Sequence, residues 1–222
     1  GGVFFLVVVG GGGGGGGGGY GAWALGGGEP EPHVGERQPR EVKRRFLHAA
    51  WVANSLAYFM QGAFATLAPF VGVRLGLSAT ETIWLVSSLL FARAVSFWVF
   101  WKWEGWHYHK GWSLAALGLG PVFLTGMFFG PSAWVVLGCC GGFGLVIGLG
   151  YYMSIFYSMD YGPDKGEGGG LHESLIGCGF LAGPLSGAVG LAALGSSAGA
   201  QVSVLAVGLG ITAFGAWRLR RV

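Results

Sequence analysis

The stretch "AWVANSLAYFMQGAFATLAPF" at 50–70 decides the fold of this chain. It passes without a single charge. At 1.5 Å per residue, a run of about 20 apolar residues in α-helix crosses the roughly 30 Å of hydrocarbon in a bilayer. Yet Asn54, Tyr58 and Gln61 interrupt the run at i, i+4 and i+7, which places all three on one helical face. Polar side chains are expensive inside a bilayer, so such a stripe has a purpose. Two readings stand. The face lines a polar cavity, or its side chains hydrogen-bond to neighbouring helices and only hold a bundle together.

The pattern repeats outward. The chain of 222 residues is 52% hydrophobic and only 10% charged, where a soluble domain carries about 25% charge. Apolar blocks recur at about 47–72, 81–101, 112–129, 133–158, 170–194 and 199–217. Between them lie "VRLGLSATE", "KWEGWHYHKG", "GPSA", "DYGPDKGEGG" and "GSSAGA". Upstream, residues 3–26 are uncharged and hold ten consecutive glycines at 10–19. Glycine costs a helix about 1 kcal/mol relative to alanine, but a bilayer imposes helix because unpaired backbone groups cost more. Residues 1–28 therefore read as a degenerate Gly-rich span, with a disordered low-complexity tract as the alternative. Residues 29–46, "EPEPHVGERQPREVKRRF", read as a basic linker, and 47–222 as six transmembrane helices. The expected fold class is an all-α integral membrane protein built on a six-transmembrane-helix bundle.

Charge orients it. With the linker in the cytoplasm, eleven Lys and Arg residues fall on cytoplasmic segments and only Arg74 on the outer side. This makes a multi-pass protein with a cytoplasmic C-terminus. Arg93 is left within the second span, where it must pair, snorkel or face water. It either holds an anionic substrate or pairs with Glu173.

The tryptophan-rich stretch "FWKWEGWHYHKGW" at 100–112 becomes a cytoplasmic hairpin. Trp98, Trp101, Trp103, Trp106, Tyr108 and Trp112 suit an interfacial aromatic belt, with Lys102 and Lys110 at head-group level. His107, His109 and Glu104 bear ligand atoms, but an i, i+2 histidine pair in a short turn lacks a third ligand, so the hairpin reads as an anchor. Cys139, Cys140 and Cys178 lie in apolar blocks without CxxC or Cys/His spacing, which points to neither zinc nor a disulfide. No metal or cofactor is expected.

The later spans add polar groups. Tyr151, Ser154 and Ser158 share a face, and Asp160 follows near the inner interface. In "GGGLHESLIGCGFLAGPLSGAVG" (168–190), Gly179, Gly183 and Gly187 recur every four residues and make a smooth face for close helix contact. Pro184 should bend that helix. His172 and Glu173 form either a protonatable pair or a helix cap that ties down the preceding loop. "GGFGLVIG" (141–148) lies inside a span, so its glycines serve helix packing and not nucleotide binding. The third and sixth spans are almost purely apolar and read as lipid-facing cover.

A basic linker, six spans, and polar first and fourth spans together resemble the C-terminal half of a major facilitator superfamily transporter. The segment at 50–70 resembles that family's seventh, cavity-lining helix. "GFLAGPLSGA" (179–188) is similar to the G-x-x-x-G-P-x-x-G-G antiporter motif, with Ala188 in place of the last glycine and His172 where a further glycine is expected. Antiport does not follow. The hairpin at 100–112 occupies the position of the family's loop motif and keeps only Glu104, Gly105 and Lys110. Its "WEGWHY" resembles a bacterial branch of the superfamily.

The resemblance implies secondary active transport of a small solute by alternating access, in a bacterial inner membrane. Asn54, Tyr58, Gln61, Arg93, Tyr151 and Ser154 become candidates for the substrate cavity. Asp160, His172 and Glu173 become candidates for coupling or gating, and Gly179, Gly183, Pro184 and Gly187 for helix packing. Expected partners are the lipid bilayer, a solute, a proton, and a missing N-terminal half or a second copy; nucleic acid is not among them. The rival readings are a sensor or scaffold without transport, and an intramembrane protease. The protease reading fails on "GPLSG" (183–187), which lacks G-x-S-G spacing, and on histidines that all read as lying outside the span interiors.

Overall fold

The computed structural model describes residues 38–162 and 165–220. The Gly-rich span expected over 1–28, the linker as far as Arg37, and Asp164 lie outside the described residues. Six helices follow in order: α1 (Arg40–Arg74), α2 (Ala79–Lys102), α3 (Lys110–Phe129), α4 (Ala133–Tyr161), α5 (Lys165–Leu194) and α6 (Ser197–Arg220). All six are long and apolar enough to cross a membrane, and no strand occurs among the described residues.

Local chemistry sets the boundaries. α1 begins at Arg40, inside the expected linker, because Glu41 pairs with Arg44 (2.8 Å) and Arg45 (3.6 Å) one turn on. Phe46 and Leu47, read as linker and span edge, are buried. Ser78 and Glu81 close a reciprocal capping box at the start of α2. Ser132 caps α4 by accepting from the Val135 N–H. The loop expected after the fourth span is largely helix, since α4 runs to Tyr161 and α5 resumes at Lys165. α5 continues unbroken through Pro184.

α1 is the central helix and touches all five others. The bundle divides into two triplets, α1–α3 and α4–α6, which run in opposite senses. Each triplet lends its middle helix to the other: α5 packs chiefly on α1, and α2 packs chiefly on α4. α1 and α4 also pack on each other, while α3 and α6 meet behind them. α2 and α5 make no contact with one another. They stand as two walls on either side of a floor made by α1 and α4.

Glycine permits both cross-triplet contacts. A Cβ on Gly183 would run into the Phe59 carbonyl, and one on Gly179 would come 2.5 Å from the Ser55 carbonyl oxygen. Gly62 on α1 is equally closed, against the Phe180 carbonyl. On the other side, Gly144 would meet the Leu89 carbonyl at 2.7 Å, and Gly148 lies against the Ser96 hydroxyl. Both faces follow four-residue spacing. Gly187 is less tight, with Leu67 at ordinary contact distance.

The expectation that the third and sixth spans form the exposed cover fits α6 and needs correction for α3. The α2, α5 and α6 spans are each 22% buried, against 44% for α3. α3 is held by α1, α4 and α6, whereas α2 and α5 present open faces, among them Ile83, Trp84 and Phe91 on α2 and Leu181, Leu185 and Val189 on α5.

Candidate functional site

Two apolar clusters fill the bundle, one beginning at Leu56 on α1 and one ending at Ala53. Asn54 falls at the seam between them. Its side chain is fully buried, and neither its amide nitrogen nor its amide oxygen has a hydrogen-bond partner. Gly150 of α4 lies directly against its backbone.

One turn along α4, Ser154 Oγ is 2.8 Å from His172 Nδ1 of α5, and both side chains are fully buried. His172 is therefore no helix cap, contrary to one of the two readings of it. It sits two turns into α5 because that helix begins at Lys165. Its Nε2 has no hydrogen-bond partner and stands 3.9 Å from Glu173 Oε1. The Tyr151 ring meets the imidazole edge-on at 4.7 Å.

On the other wall, Arg93 Nη1 donates to Gln61 Oε1 of α1 at 3.3 Å, and its guanidinium lies over the Phe97 ring at 5.8 Å. Phe97 in turn packs on Tyr151 at 5.0 Å. Tyr58 lies within electrostatic reach of Arg93, Tyr151 and Glu173 together, and Tyr151 within reach of Arg93 and Glu173. Of the expected cavity residues, Tyr58, Gln61, Arg93, Tyr151 and Ser154 are thus linked with His172 and Glu173, whereas Asn54 bonds to none of them. The expected alternative of an Arg93–Glu173 ion pair is not formed, and the two residues stand on helices without backbone contact.

Asp160 belongs elsewhere. It pairs with Lys43 Nζ at 3.1 Å and accepts from the Tyr108 hydroxyl. The Tyr108 N–H donates to the Tyr157 hydroxyl at 2.9 Å, and Phe46 packs edge-on against Tyr108 at 5.3 Å. This clasp joins the start of α1, the α2–α3 loop and the end of α4. Tyr108 holds it from a left-handed backbone (φ 52°), which is unfavourable for a bulky side chain and is sustained by these contacts.

The clasp corrects the aromatic-belt reading. Trp98, Trp101 and Trp103 are exposed as a belt requires, but Trp106 is 2% exposed, and its indole N–H donates to the Phe100 carbonyl at 3.3 Å. His107 stacks on Phe156 at 4.0 Å. Burial holds the His107 pKa below the ordinary imidazole value, against the pull of Glu104 and Asp160. Burial and the bond to Asp160 push the Tyr108 phenol up. Among the described residues, no three His, Cys, Asp or Glu side chains are grouped to hold a metal. The three cysteines are free, with Cys140 buried and Cys178 exposed.

Three cavities open near the clasp end, at Arg44, His48, Trp51 and Arg218. None of the three is lined by Asn54, Tyr58 or Gln61, which are buried in the bundle. Ser154 and His172 have the atoms of a nucleophile and its base. Both sit mid-helix, however, where backbone N–H groups are used by the helix itself and leave no oxyanion donors.

Comparison with protein-family models, with curated proteins and with solved structures returns no match to this chain.

Proposed function

We propose that this chain is the solute-binding six-helix half of a secondary transporter of the major facilitator type. The observation that carries the reading is the trough: two walls, α2 and α5, that never touch, over a floor of α1 and α4 on which the buried polar side chains converge. Two oppositely directed triplets that exchange their middle helices are the arrangement of nested inverted repeats in such a half. Asn54 and His172 supply three buried polar atoms without partners. Each such atom costs about 1–3 kcal/mol unless water or a solute satisfies it. A second six-helix body, packed on the open faces of α2 and α5, completes the site and rocks against this one to expose it to each side in turn.

The test is transport in proteoliposomes. Asn54→Ala and Gln61→Ala should each lower solute flux with little loss of folded protein. Unchanged flux in both would remove the trough from the mechanism.

A further inference from the structure

Arg93 and Glu173 carry opposite charges at matching depth on opposite walls of the trough. Arg93 stands about 14 Å from the clasp end of α2, and Glu173 about 12 Å from the same end of α5. Each lies more than two turns inside its helix. The guanidinium has five donors and spends one on Gln61, and no carboxylate among the described residues pairs with it. Glu173 is 66% exposed, with only the adjoining His172 ring at 3.9 Å. A direct ion pair would satisfy both charges, but none is formed between them among the described residues. Two phenols, Tyr58 and Tyr151, each lie within electrostatic reach of both charges.

We infer that the trough binds a small zwitterion, with its carboxylate on Arg93 and its ammonium on Glu173. The inference rests on the reading of the trough as a solute site. An arginine fork suits a carboxylate, because two parallel N–H donors match its two oxygens. An ammonium answers Glu173 as a point charge. Tyr58 and Tyr151 offer hydroxyls that accept from the ammonium or donate to the carboxylate. A zwitterion alone neutralises both walls at once and leaves the loaded trough without net charge in a low-dielectric setting. A simple anion would leave Glu173 unanswered, and a simple cation would leave Arg93 unanswered.

The test is the unfolding temperature of the purified full chain with matched probes: glycine, β-alanine and γ-aminobutyrate, beside butyrate and butylamine. At least one amino acid should raise the unfolding temperature in a saturable way, while butyrate and butylamine at the same concentration do not. Arg93→Gln and Glu173→Gln should each weaken that effect at least about tenfold. Arg93→Lys and Glu173→Asp, which keep the charges and guard against a folding defect, should retain part of it. Butyrate as effective as the amino acids, or no response to any of the three, would overturn the inference. Binding of an amino acid without flux in proteoliposomes would leave it standing and sink the transport reading. Flux of an uncharged solute alone would do the reverse.

Discussion

His172 and Ser154 are hydrogen-bonded at 2.8 Å between α5 and α4, and neither side chain reaches solvent. The bond ties the trough's floor to one of its walls at the level of Asn54. Ser154→Ala would strand a buried ring nitrogen, at a cost of about 1–3 kcal/mol. His172→Phe combined with Ser154→Ala removes both polar partners and should be no less stable than Ser154→Ala alone. Chemical or thermal unfolding in detergent reads the difference. A double variant much weaker than the single would mean that His172 makes further bonds.

The glycine contacts give a position-specific contrast. Gly183→Ala places a Cβ against the Phe59 carbonyl, so α1 and α5 must move apart, at about 1–3 kcal/mol. Gly177→Ala on the same helix meets nothing within 4 Å and should be neutral, or stabilising by up to about 1 kcal/mol. Equal effects at the two positions would contradict the close α1–α5 packing.

The clasp predicts coupling between distant segments. Lys43 and Asp160 side chains are 16% and 20% exposed, between the surface and buried regimes. Their double-mutant cycle to alanine should give a coupling of about 1–2 kcal/mol. Trp106→Ala should cost about 3 kcal/mol or more, because the indole is packed among Phe156 and Tyr157. A surface-belt role would make that substitution nearly silent.

Acid should loosen the hairpin through His107. Its pKa is lowered by burial in the folded protein. The unfolded chain therefore takes up the proton first, and the stabilisation present above about pH 6.5 is lost as pH falls through the folded value. Stability measured from about pH 7 down to about pH 5 should fall more steeply for the native chain than for His107→Phe, which keeps the stacking on Phe156. Parallel slopes would show that the imidazole titrates without cost.

Much of this architecture is written in hydropathy. The six spans, the shared face of Asn54, Tyr58 and Gln61, and the glycine spacing at 179, 183 and 187 are all one-dimensional signals, and the helices carry them. Partners across the bundle are not written there. Nothing near His172 announces that Ser154 faces it, because that pairing depends on how α5 crosses α4. The repeated G-x-x-x-G of Gly144 and Gly148 marks a packing face, but only the contact pattern shows that the face receives α2. Trp106 was indistinguishable from its exposed neighbours, since tryptophan suits both an interface and a core. Helix ends moved outward because charge pairs and capping lie beyond the apolar run.

Site accessibility tests the central claim most directly. In a chain freed of Cys139, Cys140 and Cys178, Gln61→Cys can be probed in sealed vesicles of each orientation with a membrane-impermeant maleimide. Alternating access predicts labelling from both sides, each suppressed when the opposite entrance is locked open. Protection from both sides, or labelling from one side under every condition, would contradict a trough that opens in turn to either face.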